Sequence, residues 1–194
     1  MYVPDHFRED PPDVLHAAIR DIGFATLVTE GLEANHLPML LQDSVLRGHV
    51  ARANPVWKAG DGAALAIFLG PHAYISPNWY PSKADTGKAV PTWNYITVHA
   101  KGRIRWIEDA DWLRAHVTAL SALHESPRPD PWAVSDAPAS YIDGLLRAIV
   151  GFELTIETLE GKYKLSQNRP EPDQQGVRDA LAREGRDDIA RLMK

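Results

Sequence analysis

The sequence predicts a mainly β, α+β fold in which an antiparallel barrel carries peripheral helices. Three observations support this class. Strand-like runs dominate residues 24–107, two helical segments follow, and one more strand and a terminal helix complete the chain. Strands and helices do not alternate as they do in a parallel α/β sheet.

The first half of the chain predicts one helix and several strands. Residues 10–22 predict a helix, because apolar side chains recur there at helical spacing and Gly23 follows. Residues 24–58 predict three antiparallel strands in a meander. The apolar segment 63–77 predicts a buried strand pair with a break at Gly70-Pro71, and 93–108 predicts a strand of alternating polarity. A polar loop, 78–91, separates them.

In the second half of the chain, the spacing of apolar residues changes after Asp109 from a strand period to a helical one. Residues 109–126 and 138–150 predict two helices joined by a proline-rich connection, 152–168 predicts a strand, and 174–194 predicts a helix. We therefore expect one domain over residues 1–170 and a C-terminal helical tail over 171–194.

Composition excludes several classes of protein. The 194 residues include no cysteine, so no disulfide scaffold, zinc finger, Fe–S cluster or thiol nucleophile is expected. No signal peptide and no long apolar run are visible, so we expect a cytoplasmic protein without a membrane partner. The net charge of −5 argues against a surface that binds nucleic acid throughout.

Three segments combine polar side chains with aromatic residues or turn formers. In GHVARANPVW, Arg52 and Asn54 follow a strand and suit an anion, although a capped turn with a surface arginine explains them equally well. The segments 70–80 and 90–99 place aromatic rings beside Ser, Thr and Asn. They suit either a planar heterocycle or a dimer interface. In KYKLSQNRP, an alternating strand places Lys164, Ser166 and Asn168 on one face, which suits phosphate or ring carbonyls or else a solvated edge strand.

These segments together resemble the PaiB family, which consists of FMN-binding proteins described as negative transcriptional regulators. The resemblance runs from residue 1 to about 169 and rests on MYVPDHF, HLPMLL, GHVARANPVW, GPHAYISPNWY, VPTWNYITVH and KLSQNR. It implies an FMN-binding split β-barrel, antiparallel and Greek-key-like, with FMN as cofactor. It also implies a homodimer that holds the flavin in a cleft built by both subunits.

The resemblance implies a set of cofactor-binding residues. The strand end after Gly48 is expected to meet the phosphate, the HLP segment to line the isoalloxazine by backbone contacts, and the WNYITV and KLSQN segments to reach the cofactor or the partner subunit. Two further residues, Ser76 and Trp79, are expected to shape the cleft. The remaining expected residues are Leu37, Pro38, His49, Arg52, Asn54, Asn94, Tyr95, Thr97, Lys164, Ser166, Gln167 and Asn168.

Two functions remain open at this stage. A flavin-binding repressor would present a surface to DNA or to a regulatory protein, whereas a flavin-dependent oxidoreductase would act on a small substrate. The sequence shows no metal site and no recognisable catalytic acid or base, so enzymatic activity is left undecided. Haem ligation by His49 or His99 is a minor alternative, since lone histidines are more often hydrogen-bonded surface or core residues.

Overall fold

Within the described residues, the protein forms one eight-stranded sheet and six α-helices. A computed structural model describes residues 1–193, without the side chain of Thr86. The strands are β1 Arg8–Glu9, β2 Phe24–Thr29, β3 Ala34–Pro38, β4 Leu40–Gln42, β5 Val45–Ala51, β6 Gly62–Ile75, β7 Thr92–Ile107 and β8 Ile149–Lys164. The helices are α1 Pro12–Ile22, α2 Ser82–Thr86, α3 Ala110–Glu125, α4 Ala139–Leu146, α5 Glu171–Arg183 and α6 Asp187–Ala190.

The strand order is β3-β2-β6-β7-β8-β5-β4, and β1 pairs with β8. The pairs β2–β3, β2–β6, β4–β5, β5–β8 and β1–β8 are antiparallel. This arrangement confirms the predicted antiparallel fold with peripheral helices. None of the helices in the described part of the chain combines the length and hydropathy needed to cross a bilayer.

The chain divides into two compact units. The first consists of Met1–Ile22, Phe68–His99 and Leu159–Lys194, and the second of Gly23–Ile67 and Ala100–Thr158. The three long strands β6, β7 and β8 contribute residues to both units.

An apolar cluster between sheet and helix forms the core of the first unit. Ile75, Ile96 and Leu165 lie in the sheet or directly after it, and Val177 and Leu181 on α5 pack against them. The helix α5 is thus part of this core. The proposed division at residue 170 stays a prediction, and Lys194 of the predicted tail lies outside the described residues.

A smaller cluster in the second unit packs α3 against α4, through Leu113, Ile142 and Leu146. Gly151 of β8 leaves room for the indole of Trp112, since a Cβ at this glycine would lie 2.2 Å from the ring. The sheet therefore accepts α3 at close range. Both predicted helices of this region are confirmed, with slightly different ends.

Some predicted boundaries are wrong for local reasons. The strand β6 continues through Gly70-Pro71, because Gly70 has no Cβ to collide with Ile96, which would lie 2.5 Å away. Four strands, not three, fill residues 24–51. The predicted tail helix is two helices, α5 and α6, separated by Gly185 at a φ of 70°. The loop 78–91 contains α2.

Candidate functional site

One face of β6, β7 and β8 in the first unit presents aromatic and basic side chains. Alternation along each strand buries one set of residues, such as Ile75 and Ile96, and turns the other set outward. We call the outward set the aromatic–lysine face. Its members are His72, Tyr74, Trp93, Tyr95, Lys162 and Lys164.

The aromatic rings of this face contact one another and remain accessible. Tyr74 is 48% exposed and Trp93 is 52% exposed. Their ring centroids lie 6.0 Å apart in an edge-to-face arrangement, and His72 lies 6.2 Å from Trp93. A groove of about 590 Å³ borders these rings and is also lined by Trp79 and Arg186. Exposed aromatic clusters of this kind bind planar ligands or a partner surface.

Two lysines border the aromatic rings on β8. Lys162 Nζ lies 5.6 Å from the centroid of the Tyr95 ring and donates to the Tyr2 carbonyl oxygen at 3.2 Å. Lys164 Nζ donates to Thr92 Oγ1 and to the Trp93 carbonyl oxygen. Burial, together with the charges of Lys162 and Arg169, lowers the pKa of Lys164. Lys162, Lys164 and Arg169 together make this end of the face basic.

The predicted residues of the KLSQN segment form a tight turn instead of a continuing strand. The strand ends at Lys164, and Ser166 adopts a left-handed φ of 65°. The buried Ser166 Oγ donates to Asn94 Oδ1 at 3.0 Å. Gln167 accepts from the Leu165 amide at 2.7 Å, and Asn168 is exposed. The expectation that Lys164, Ser166 and Asn168 share one strand face is therefore wrong.

Other predicted residues of the first unit have structural partners. Asn94 is fully buried, and Thr97 Oγ1 donates to the Phe68 carbonyl oxygen at 3.1 Å. Ser76 caps a short 3-10 helix by accepting from the Asn78 amide at 3.2 Å, and the half-buried Trp79 ends that helix. Among the residues expected at the cofactor, Tyr95 and Lys164 lie on the aromatic–lysine face.

In the second unit, Arg52 is engaged with the protein itself. Its Nε donates to the Arg147 carbonyl oxygen at 2.7 Å, its guanidinium also donates to the Ile149 carbonyl oxygen at 3.2 Å, and it pairs with Glu108. Asn54 caps the 3-10 helix that follows, accepting from the Val56 amide at 3.0 Å. These contacts match the alternative of a capped turn. The assignment of Arg52 and Asn54 to a phosphate stays a prediction.

His49 belongs to a buried pair in the same unit. Its Nδ1 lies 3.1 Å from Nε2 of His116 on α3, and the His116 ring stacks on Trp112. Burial lowers the pKa of His49, and burial with the charges of His49 and Arg47 lowers that of His116 to about 4. The two predicted HLP residues also lie in this unit, on β3: Leu37 is buried and Pro38 half-buried.

The sequence analysis missed several residues that the structure singles out. Trp93 lies one position before Asn94 on β7, and Lys162 lies one position before Tyr163 on β8. The two-residue period of a strand places such neighbours on opposite faces, so the sequence did contain a signal for Trp93 and Lys162. Arg169 and His116 had no such signal, because they contact Tyr80 and His49, which come from distant parts of the chain.

Comparison with solved structures defines the class of fold. The chain superposes on the FAD and haem binding protein of Mycobacterium smegmatis with a TM-score of 0.61 at 15% identity, covering 81% of this chain and 73% of that protein. A flavocytochrome of Azotobacter vinelandii gives a TM-score of 0.57 at 14% identity, with coverages of 84% and 72%. The fold is that of the flavin-binding split barrels, as predicted.

Comparison of sequences defines the family. Residues 1–158 match the family model described as "Putative FMN-binding domain". The protease synthase and sporulation protein PAI 2 of Bacillus subtilis is 33% identical over 95% of this chain and 90% of its own length. An uncharacterised protein of Emericella nidulans is 33% identical over 91% of this chain and 88% of its own length. The chain belongs to the PaiB family of FMN-binding proteins, and its cofactor is FMN.

The donor set of the aromatic–lysine face fits this cofactor. FMN joins a planar ring to a phosphate monoester, and the face joins half-exposed aromatic rings to ammonium groups on one continuous surface. The groove of about 590 Å³ beside Trp93 lies within the range of small-molecule sites. The residues present therefore match both ends of the flavin.

Proposed function

We propose that the protein holds FMN on the aromatic–lysine face, between two copies of the chain, and acts as a flavin-responsive regulator. The observation that carries the proposal is the joint exposure of Trp93 and Tyr74 on the face that also carries Lys162 and Lys164. Aromatic rings bind a planar heterocycle by stacking, and ammonium groups neutralise a phosphate.

In this arrangement each group of the chain has a separate role. Trp93 and Tyr74 would orient the ring and exclude water from one side of it. Lys162 and Lys164 would hold the phosphate through charge-assisted hydrogen bonds. FMN itself supplies the redox chemistry when bound.

The homodimer is proposed because the aromatic surface is too exposed for an isolated chain. Large aromatic side chains are enriched at the centre of interfaces and depleted from free surfaces. A second copy seated on the same face would bury them, and stable homodimers of this kind bury about 2,000 Å² or more.

The regulatory role rests on similarity to PAI 2, whose name places it in protease synthesis and sporulation. The proposed readout is a DNA or regulatory protein partner whose binding changes with FMN. A flavin-dependent oxidoreductase is the second candidate, and the open groove beside Trp93 favours it, since a substrate there would lie next to the proposed ring position.

Reconstitution tests the site. Apo-protein titrated with FMN should quench flavin fluorescence, and light scattering should give a dimer at micromolar concentration. Trp93→Ser should weaken both properties. Trp132→Ser is the matched control, because Trp132 is a similarly exposed indole, at 45%, in the second unit. Equal effects of the two variants, or a stable wild-type monomer, would refute the proposed location.

A second experiment separates the two functions. Gel shifts with genomic DNA fragments at about 150 mM salt would be compared for apo and FMN-loaded protein, beside steady-state oxidation of NADH and NADPH. A shift that depends on FMN, without turnover, supports the regulator. Turnover without an FMN-dependent shift supports the oxidoreductase and refutes the regulatory role.

A further inference from the structure

We propose that the phosphate of the flavin is bound by Lys162, Lys164 and Arg169, and that Asn94 and Ser166 are positioning residues that build this site. The inference deepens the proposed function and rests on it. It places the phosphate in the first unit, whereas the resemblance implies the strand end at Arg52, which lies in the second unit.

The three cations are half-buried and lack a protein counterion. Within residues 1–193, none of the three forms an ion pair with a carboxylate. The two lysines donate to the Tyr2 and Trp93 carbonyl oxygens and to the Thr92 hydroxyl. Half-buried charges are normally paired, so these cations point to an anion that is not part of the chain.

Two of the cations share one face of β8, and the third acts electrostatically on one of them. Lys162 and Lys164 occupy alternate positions of β8 and so share one face. The charges of Lys162 and Arg169 both lower the pKa of Lys164, next to the larger effect of burial. Convergence of like charges is unfavourable without a ligand, and a phosphate dianion removes the repulsion.

The turn after β8 determines where Arg169 lies. Ser166 has a φ of 65° and is buried, although L residues rarely adopt this conformation. Its hydroxyl is held by Asn94, and its carbonyl oxygen accepts from the Arg169 amide at 2.9 Å. The reversal brings Arg169 back towards the end of β8, with its guanidinium 4.7 Å from the Tyr80 ring centroid.

Donors remain for a ligand. An ammonium group has three N–H donors, and Lys162 uses one of them and Lys164 two on protein acceptors. By contrast, Arg52 directs its guanidinium to two carbonyl oxygens and to Glu108. The chemistry of the three-cation site is therefore that of a phosphate monoester site, whereas Arg52 already has its counterion.

The test compares FMN with riboflavin, which lacks the phosphate. For wild-type protein, calorimetry should give about 100-fold tighter binding of FMN, which corresponds to about 2.7 kcal/mol. Lys164→Met and Arg169→Met should each lower the affinity for FMN about tenfold and leave that for riboflavin within about twofold. Lys58→Met is the control, because Lys58 is an exposed lysine of the second unit.

The positioning role has its own readout. Ser166→Ala removes the hydroxyl that Asn94 holds, and Ser166→Gly removes it but also relieves the left-handed backbone. Both should reduce the ratio of FMN to riboflavin affinity, at least about fivefold, while riboflavin binding reports that the fold is intact. A purely structural serine would lower both affinities together.

Each remaining result overturns a defined part of the reasoning. Equal binding of FMN and riboflavin by wild-type protein, or a preference for FMN that survives both cation variants, refutes the three-cation site but leaves flavin binding in place. If Arg52→Met loses the preference for FMN over riboflavin and Lys164→Met keeps it, the phosphate is bound by Arg52. Failure of wild-type protein to bind either flavin contradicts the proposed function as well.

Discussion

Protonation of the buried histidine pair should destabilise the protein in acid. His49 Nδ1 and His116 Nε2 share a hydrogen bond, so at least one ring nitrogen of the pair must be unprotonated. The His116 ring is 4% exposed and stacks on Trp112, and Arg47 adds a positive charge beside it. Nearby Glu153 pairs with Arg47 and accepts from the Trp112 indole. The site therefore disfavours a second positive charge.

The magnitude follows from the pKa of His116, which falls from 6.5 to about 4 on folding. The unfolded chain binds this proton more readily, so the contribution to stability is complete above pH 6.5 and is lost as the pH falls towards 4. One proton changes the free energy of unfolding by about 1.4 kcal/mol per pH unit in this window, which gives roughly 3 kcal/mol in total.

Urea unfolding followed by tryptophan fluorescence at pH 7 and pH 4 measures this loss. His116→Phe removes the titrating group and keeps a ring to stack on Trp112. The wild-type free energy of unfolding should therefore fall by roughly 3 kcal/mol more than that of the variant. His124→Phe is the control, since His124 is exposed on the same helix. If wild type and His116→Phe lose the same free energy, the buried pair does not respond to pH as argued.

Three further predictions concern residues that hold the fold around the site. Gly102→Ala should cost about 3 kcal/mol or more in thermal unfolding, because the added Cβ would lie 1.8 Å from a carbonyl oxygen of β8. Gly144→Ala on α4 should be neutral or stabilising, because its Cβ would make only an ordinary contact, at 3.8 Å, with the guanidinium of Arg147. Asp173→Asn should cost about 1–3 kcal/mol, because the buried carboxylate accepts from both the amide and the hydroxyl of Ser82; an unchanged melting temperature would contradict this. Arg52→Ala should cost about 2 kcal/mol through its lost carbonyl contacts, and full stability in that variant would remove the structural role.

Local pattern was enough to predict the elements that build the proposed face. The alternation in WNYITVH identified β7 and the set that includes Tyr95, and the apolar spacing of residues 10–22 identified α1. Both features depend on neighbours along the chain. The resemblance added the fold and FMN, which the comparisons confirm.

Contacts between distant residues could not be predicted in this way. The partners His49 and His116 are 67 positions apart, and Asn94 and Ser166 are 72 apart. The left-handed turn at Ser166 is also hidden, because serine carries no turn preference as strong as that of glycine. The same limit applies to Arg52, since a strand-end arginine looks identical whether it binds a phosphate or its own backbone.

The proposed phosphate site depends on local cations and not on the total charge of the chain. The chain carries a net charge of −5, which on average repels a phosphate. Charges further away than about 8 Å are largely screened at physiological salt, so that repulsion is weak at any one site. Arg47 and Arg105 both pair with Glu153, and Arg52 pairs with Glu108. The carboxylates offset the charge of these arginines, so their attraction for an anionic ligand is weak. Within residues 1–193 the cations at the end of β8 pair with no carboxylate, so the phosphate site proposed there is compatible with the acidic net charge.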